Sequence, residues 1–414
     1  MTEATLAGRT TSNDPVILWA ITFCHFLNDL ATWLLPAIYP ILKSDLALSF
    51  GQIGLLTLVY QGIASMLQPI VGLFTDKRPQ AYSLPLGMVS TLCGLCIIAF
   101  APSFLVLLSG AGLLGVGSAI FHPESSRIAR LASNGAHGFA QSLFQVGGNF
   151  GSSIAPLAAA FFILPHGRDS LAWFALVVLI GVLILVAVGR WYQIAGHSKK
   201  ATKQPSILPD GLAWPQVQRA IAVLVALIFS KFFYLSSITN YYIFYLMHRF
   251  DMTTENAQLC LFVFLGASAA GTFIGGPIGD RYGRKNVIWG SILGVLPFTL
   301  IMPYVGLAAT IVLSILIGLI ISSAFSAIVV YAQELIPGRI GMVSGLFFGL
   351  AFGMAGIGAA VLGQVIDYTS IDFVYRICSF LPLIGLLTAF LPTIKARAQK
   401  VQSGRTQQRG SRYK

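Results

Sequence analysis

Residues 276–290, GPIGDRYGRKNVIWG, place four charged side chains directly after a long apolar run. Their first six residues have an earlier counterpart in residues 72–77, GLFTDK, so a glycine, an aspartate and a basic residue recur 204 positions apart. Ser49 and Thr253 recur at the same offset, each just before an apolar run. A repeat of this length predicts a chain built from two similar halves.

The composition of the chain is that of an integral membrane protein. Of its 414 residues, 56% are hydrophobic and only 10% are charged, with a mean hydropathy of +0.79. Soluble proteins carry about 25% charged residues. All five cysteines fall in apolar runs, and Cys93 and Cys96 form a CxxC without a partner pair. We therefore expect buried thiols rather than a metal or redox site.

Twelve apolar runs are long enough to cross a bilayer, which takes about 20 residues of helix. No alternation typical of strands competes with them, so we expect an all-α fold of twelve transmembrane helices in two pseudo-symmetric six-helix halves. The runs are 16–42, 51–74, 83–101, 103–121, 138–164, 171–193, 220–247, 255–278, 286–305, 308–333, 340–366 and 373–394.

The longest polar interruption contains three prolines and follows the sixth run, as expected of a linker. We therefore divide the chain into an N-terminal cytoplasmic segment, a first half, a cytoplasmic linker, a second half and a basic cytoplasmic tail. These regions are 1–15, 16–194, 195–219, 220–394 and 395–414.

The distribution of basic residues predicts the orientation. An even number of spans puts both termini on one side, and 21 of the 26 Lys and Arg residues lie on that side, against four on the other. The positive-inside rule therefore predicts cytoplasmic termini. This bias also accounts for the net charge of +12 without a nucleic-acid partner. The first apolar run lacks a cleavage site and is expected to be a retained span rather than a signal peptide.

The first run carries an unexpected polar stripe. His25, Asp29 and Thr32 are spaced four and three residues apart, with Asn28 at the edge of the same helix face. A charged group at mid-bilayer costs about 2.5–3.5 kcal/mol on insertion scales. Burial favours the neutral form of a carboxyl group, which makes its charge switchable. We expect Asp29 to carry a proton that His25 shares, and a purely structural hydrogen bond is the alternative.

Lys231 is the one Lys or Arg deep within a predicted span, and the repeat places it opposite Leu27, close to Asp29. The two charges either pair directly or compete for substrate and proton. A cation at this depth is suited to bind an anion, so we expect Lys231 to bind a substrate that carries negative charge, with a structural ion pair as the alternative. Tyr234 and Tyr241 lie on roughly the same face and are either substrate contacts or packing residues.

Further polar residues extend the candidate substrate site. Gln145 and Asn149 form an amide stripe on the fifth run, suited either to ligand recognition or to hydrogen bonds between helices. Asn28 and His122 are further candidates for substrate contacts. Glu124 is a second candidate for proton coupling.

A charged layer on the cytoplasmic side is expected to hold that side closed and to act as a gate. Glu124 paired with a nearby arginine would form one latch, and Glu334 with Arg339 its counterpart. The predicted gating residues are Asp76, Arg127, Arg130, Asp280, Arg281, Arg284, Glu334 and Arg339.

Small residues recur every four positions on the fifth and eleventh runs. Gly147 and Gly151 belong to the first row, and Gly349 and Gly353 to the second. Such rows let helices approach closely. These rows either pack the helices permanently or allow them to slide against each other during a conformational change, and the sequence favours neither.

No HExxH, GxSxG or Walker pattern occurs in the sequence. The chain is therefore expected to be neither an enzyme nor driven by ATP, and we predict neither a metal nor an organic cofactor.

The segment from Gly276 to Lys285 resembles the cytoplasmic loop signature of the major facilitator superfamily. The earlier copy, GLFTDKRPQ, keeps the glycine, aspartate and lysine but lacks the trailing Gly-Arg-Lys. Blocks at 121–153, 227–234 and 330–349 are similar to the group of bacterial drug efflux transporters in this superfamily that confer resistance to fosmidomycin. The similarity extends from about residue 16 to 392.

This resemblance implies a function that composition alone does not. It implies a monomeric inner-membrane transporter that uses the proton gradient to export fosmidomycin, a small phosphonate hydroxamate, by alternating access. A proton-coupled importer of a phosphonate or another organic anion with the same fold is the alternative.

Overall fold

The computed structural model describes residues 14–78, 80–133, 137–195, 212–336 and 340–393. These residues form helices, and no strand occurs among them. The helices are Asp14–Ala37, Tyr39–Asp45, Phe50–Lys77, Ser83–Phe100, Phe104–Ala132, His137–Ala158, Leu164–His166, Ala172–Ala195, Trp214–Phe250, Thr254–Tyr282, Arg284–Ile292, Leu296–Ile301, Leu307–Ser322, Ala324–Leu335, Ile340–Tyr368 and Ile371–Cys378. A π-helical turn at Ala159–Ile163 and 3-10 segments at Arg168–Leu171, Met302–Tyr304 and Leu381–Phe390 complete the described elements.

Twelve segments of the described chain are helical, long and apolar enough to cross a membrane, which confirms the predicted all-α fold of twelve spans. In chain order, spans 1 to 12 are Pro15–Ala37, Phe50–Thr75, Ser83–Phe100, Phe104–Ala129, Leu143–His166, Arg168–Gln193, Trp214–Phe250, Thr254–Gly275, Arg284–Tyr304, Leu307–Leu335, Gly345–Tyr368 and Ile371–Phe390. We call the side where span 1 begins and span 12 ends the termini side, and the other side the far side.

The backbone itself records the repeat between the two halves. The two non-glycine residues with positive φ in the described chain are Ala47, at 49°, and Asp251, at 51°, and they are 204 positions apart. Such residues are uncommon. Each lies two residues before a helix cap, where Ser49 begins span 2 and Thr253 begins span 8. Equivalent turns on the far side therefore start equivalent helices.

The spans pack as two groups of six. In the first half, span 1 contacts spans 4, 5 and 6, and span 4 also packs against spans 2 and 3. In the second half, span 7 contacts spans 8, 11 and 12, and span 10 packs against spans 8 and 9. Between the halves, span 2 lies along span 11 and span 5 along span 8. A site between the halves is therefore bordered by spans of both.

The two rows of small residues have different places in this arrangement. A Cβ atom at Gly147 or Gly151 would lie 2.3 Å from a carbonyl oxygen of span 1, so this row packs within the first half. Gly349 and Gly353 instead face Ser65 of span 2, whose hydroxyl donates to the Gly349 carbonyl at 2.6 Å. Of the two rows, the second lies on the boundary between the halves.

The proposed division into five regions stays a prediction. Most of the expected linker, the N-terminal segment and the basic tail lie outside the described residues. The helix of span 7 begins at Trp214, inside the predicted linker boundary.

Candidate functional site

Asp29 lies between two imidazole rings inside the first half. Its Oδ2 atom is 3.3 Å from Nε2 of His25, one turn earlier on span 1, and its Oδ1 atom is 3.6 Å from Nε2 of His122 on span 4. The side chains of His25, Asp29 and His122 are 3%, 15% and 20% exposed. The structure thus brings His122 into contact with the predicted His25–Asp29 pair. We call these three residues the proton cluster.

Main-chain carbonyls determine which nitrogen of each ring carries a hydrogen. Nδ1 of His25 lies 2.7 Å from the carbonyl oxygen of Phe144, and Nδ1 of His122 lies 2.9 Å from that of Ser118. A carbonyl oxygen only accepts, so each Nδ1 is a donor, and the Ser118 hydroxyl oxygen 3.1 Å from Nδ1 of His122 is then a second acceptor of that hydrogen. In a neutral ring the Nε2 atom is then left with a lone pair. In both rings that lone pair faces the carboxyl group of Asp29.

This geometry is suited to a proton within the cluster. An ionised carboxylate offers only acceptor sites, and two acceptors that face each other in a buried site are unfavourable. A proton on either Nε2 or on Asp29 converts one contact into a donor–acceptor pair. With one such proton the three groups are neutral in total, and with two they carry one positive charge. The cluster can therefore bind and release a proton at fixed atoms.

Neighbouring polar groups hold the carboxylate in place. Asn28 is fully buried and donates from Nδ2 to Oδ1 of Asp29 at 3.0 Å, while its own oxygen accepts from Thr91 at 3.4 Å. Asn28 thus positions the carboxylate in this structure, and its contact with substrate stays a prediction.

Span 5 closes the cluster from the other side. A Cβ atom at Gly148 would lie 2.4 Å from Nε2 of His25 and 2.7 Å from Oδ2 of Asp29, so only glycine fits. Gln145 lies three residues earlier on the same helix face, and Asn149 follows Gly148. Both amides are half-buried, and their substrate contacts stay predictions.

The proton cluster also has the composition of a metal site. Its ligand-type atoms all lie within 4.8 Å of one another. The contacts of 3.3 and 3.6 Å are nonetheless accounted for by a proton shared between carboxylate and imidazole, which needs no ion. The absence of a metal stays a prediction.

Lys231 and Asp29 do not form an ion pair among the described residues, so of the two possibilities for these charges the direct pair is not formed in this structure. Its side chain is 3% exposed, and its ammonium group lies 3.5 Å from the carbonyl oxygen of Ser322 and 5.4 Å from the ring centres of Phe232 and Phe325. No described carboxylate lies within ion-pair distance of it. The ammonium group instead contacts span 10, through the carbonyl oxygen of Ser322.

The repeat nevertheless relates Lys231 to His122. Ser322 is 204 positions after Ser118, whose carbonyl accepts from His122. Each half therefore places one basic group on the same carbonyl of equivalent helices, spans 4 and 10. Lys231 in the second half therefore occupies a place at the Ser322 carbonyl like that of His122 at the Ser118 carbonyl in the first half.

The two candidate tyrosines of span 7 are packing residues. The hydroxyl of Tyr234 lies 3.8 Å from the sulfur of Met302, and that of Tyr241 donates to the carbonyl of Ala359 at 2.5 Å. Both rings are buried, and the hydroxyl of Tyr241 also lies 3.5 Å from the Phe50 carbonyl oxygen of span 2, at the boundary between the halves. These contacts are those of packing residues, one of the two alternatives, and substrate contacts of Tyr234 and Tyr241 stay predictions.

A small polar cavity of about 30 Å³ lies beside the cluster, between the halves. It is large enough for about one water molecule. Thr57 of span 2 donates to Asn240 of span 7 across it at 2.6 Å, and the oxygen of Gln61 is buried without a protein partner. Its walls are Thr32, Trp33, Pro36, Tyr39, Thr57, Tyr60, Gln61, Thr239, Asn240 and Phe352. Sequence reasoning missed the polar side chains of span 2, although their spacing of three and four residues in an apolar run was a usable signal.

The described ion pairs of the termini side each lie within one half. Glu124 is buried and pairs with Arg127 at 2.7 Å, and Arg127 also donates to the Thr75 carbonyl. Glu124 is not part of the proton cluster. In the second half Glu334 pairs with Arg284 at 3.4 Å, where Arg339 was expected.

Several predicted gating residues lie outside what the structure describes. Arg339 falls in residues 337–339, and the side chains of Asp76, Arg130 and Asp280 are not described although their backbones are helical. Arg281 is exposed beside the ring of Tyr282. Gating roles for this layer stay predictions.

Comparison with known proteins agrees with this architecture. The Major Facilitator Superfamily model matches residues 21–347 and 232–412. The chain is 58% identical over 91% of its length to the fosmidomycin resistance protein of Escherichia coli (strain K12), covering 92% of that protein. It is 40% identical over 94% of its length to an uncharacterized MFS-type transporter of Bacillus subtilis (strain 168), covering 96% of it.

Solved structures share the fold at low sequence identity. A point mutant of the nucleoside transporter NupG superposes with a TM-score of 0.71 at 15% identity, covering 91% of this chain and all of that one. A bacterial homolog of the human lysosomal transporter Spinster gives 0.68 at 14% identity, over 91% and 94% of the two chains. The chain belongs to the major facilitator superfamily. It is a multi-pass membrane transporter rather than an enzyme, as predicted.

Nitrogen-15 NMR of protein labelled at histidine tests the geometry of the cluster. We expect His25 and His122 to be protonated at Nδ1 whenever their rings are neutral, because both Nδ1 atoms donate to carbonyls. The variants His25→Phe and His122→Phe assign the two signals, and His248, which is exposed on the far side, serves as a control ring outside the cluster. A neutral form of either ring protonated only at Nε2 would contradict the assigned contacts.

Proposed function

We propose that this protein exports a small anionic drug such as fosmidomycin across the bacterial inner membrane in exchange for protons. The observation that carries the proposal is the buried carboxylate of Asp29 between two imidazoles whose Nδ1 hydrogens are held by carbonyls. The relation to the E. coli fosmidomycin resistance protein supports the choice of substrate. Both termini are assigned to the cytoplasm from the charge bias, and a monomer is the proposed unit.

The proton is carried by the cluster in the first half. Asp29 and His122 are the members with exposed edges, and the ring of Phe352 from span 11 lies 5.9 Å from His122. These edges therefore adjoin the boundary between the halves. When the halves rock about this boundary, the cluster faces one side of the membrane and then the other. No further cofactor is required, because the proton gradient supplies the free energy.

The anionic group of the substrate is bound by Lys231 in the second half. A buried ammonium group without a carboxylate partner is unfavourable, and an anion relieves this cost. The cavity between the halves has about 30 Å³ in this conformation and must widen before a drug enters. Gln145, Asn149 and the amide of Gln61 are suited to its remaining polar groups.

Drug and proton compete for Asp29 because each supplies a hydrogen atom to its carboxylate, and this competition couples their transport. The N-hydroxyl group of a hydroxamate is a hydrogen-bond donor, so it replaces the proton as the partner of the ionised carboxylate. The phosphonate meanwhile engages Lys231. A site that holds either a proton or the drug, but not both, exchanges one for the other across the membrane.

Transport in everted vesicles tests the role of Asp29. Asp29→Asn should abolish fosmidomycin accumulation driven by an acidic interior, because the amide cannot take up and release a proton. Exchange of labelled for unlabelled drug at equal pH should persist, since it needs no net proton movement. Asp45→Asn removes an exposed carboxylate of the far side and serves as the matched control. Gradient-driven accumulation by Asp29→Asn at the wild-type rate would refute the proposed proton site.

The role of Lys231 is tested by the exchange reaction alone. Lys231→Gln should raise the drug concentration for half-maximal exchange about ten- to hundredfold, the usual loss when a charged hydrogen-bond partner is removed. Arg190→Gln, at an exposed position of span 6, should leave it unchanged. Equal half-maximal concentrations in Lys231→Gln and wild type would remove this residue from the substrate site.

The direction of drug transport distinguishes the proposed exporter from its alternative, an importer of a phosphonate or another organic anion with the same fold. An exporter lowers the fosmidomycin susceptibility of cells that express it. An importer raises it, since drug would accumulate inside.

A further inference from the structure

The far-side ends of spans 2 and 11 are joined by a carboxylate. Asp367, one residue before the end of span 11, accepts hydrogen bonds from the backbone of the other half. Its Oδ1 atom is 2.9 Å from the amide nitrogen of Phe50, and its Oδ2 atom is 2.6 Å from that of Gly51. These amides are the first two of span 2.

This carboxylate completes the set of partners at the start of span 2. The first four amides of a helix lack partners within the helix. Here the amide of Ser49, the N-cap residue, donates to the side-chain oxygen of Gln52, and the amide of Gln52 donates to the Ser49 hydroxyl. The two amides between them, of Phe50 and Gly51, depend on Asp367. The negative charge also lies at the positive end of the helix dipole, where it is favourable.

Close backbone contact on the far side brings these groups together. A Cβ atom at Gly54 would lie 2.3 Å from the carbonyl oxygen of Ala359, and one at Gly363 would lie 2.3 Å from that of Phe50. Glycine at these places allows spans 2 and 11 to touch along their far-side ends. The carboxylate thus bridges a boundary that is closed in this conformation.

The equivalent boundary between spans 5 and 8 has no such carboxylate. Ile163 is the repeat counterpart of Asp367, and Glu255 is that of Gly51. The side chain of isoleucine cannot accept a hydrogen bond. The bridge therefore belongs to one of the two pseudo-equivalent boundaries and is not a general consequence of the repeat.

We infer that Asp367 and the first two amides of span 2 form a latch that holds the far side of the transporter closed. This inference rests on the proposed alternating access, in which the far side must open to release the drug. On opening, the two amides and the carboxylate separate and are hydrated. The latch thus sets the balance between the closed and open states of the far side, independently of proton and substrate.

Distances between spin labels test the latch in the absence of drug. Labels at Ser44→Cys and Asn256→Cys, both exposed on the far side of different halves, report its opening. The five native cysteines are replaced by alanine in a background that retains transport. We expect Asp367→Asn to raise the ratio of long to short distances about 3- to 30-fold, the range for losing a helix-capping contact.

Asp372→Asn is the matched control. Asp372 is also a far-side carboxylate, but its partners Arg249 and His248 belong to its own half. Its distance distribution should match that of the wild type, and Asp367→Glu should lie between wild type and Asp367→Asn. An unchanged distribution in Asp367→Asn, or an equal shift in Asp372→Asn, would overturn the latch. The distance measurement needs neither drug nor a proton gradient. Failure of the latch can therefore be distinguished from failure of the proposed transport.

Discussion

A carboxylate buried between two imidazoles is the constraint on which the rest of the site depends. Asp29 would be costly inside a membrane span as a free charge. The carbonyls of Phe144 and Ser118 hold the Nδ1 hydrogens of His25 and His122, so both rings turn an unprotonated nitrogen toward the carboxyl group. A hydrogen-bond donor, such as a proton on one of these groups, satisfies the atoms that face each other. This arrangement is the basis of the proton site that we propose.

The surrounding helices make that site rigid within one half and adjacent to the other. Gly148 lets span 5 lie against His25 and Asp29, while Asn28 fixes the carboxylate from the inside. The exposed edge of His122 lies at the boundary between the halves, next to the ring of Phe352 of span 11. Across it, Lys231 rests on the carbonyl that corresponds to the one used by His122. The proton and anion sites that we propose thus lie in different halves, so relative motion of the halves can couple them.

The features that could be predicted from the sequence are those that depend on residues close together along the chain or on the repeat. The twelve spans follow from apolar length, and the halves follow from repeated motifs that the turns at Ala47 and Asp251 reproduce. The neighbours His25 and Asp29 are one helical turn apart and could be paired from their spacing. His122 joins them from another span, which only packing decides. Lys231 illustrates the converse, since equal depth suggested an ion pair but span 10 offered a nearer acceptor. The bridge from Asp367 to span 2 joins residues more than 300 positions apart.

The most direct measurement is the proton released when drug binds. Wild-type protein in weakly buffered detergent solution, with a pH-indicator dye, should release about one proton per molecule when fosmidomycin is added, because the hydroxamate replaces the proton at Asp29. A phosphonate without a hydroxamate group should bind without this release, and Asp29→Asn should release none. Proton uptake on drug binding, or equal release by Asp29→Asn and wild type, would contradict exchange of drug and proton at this carboxylate.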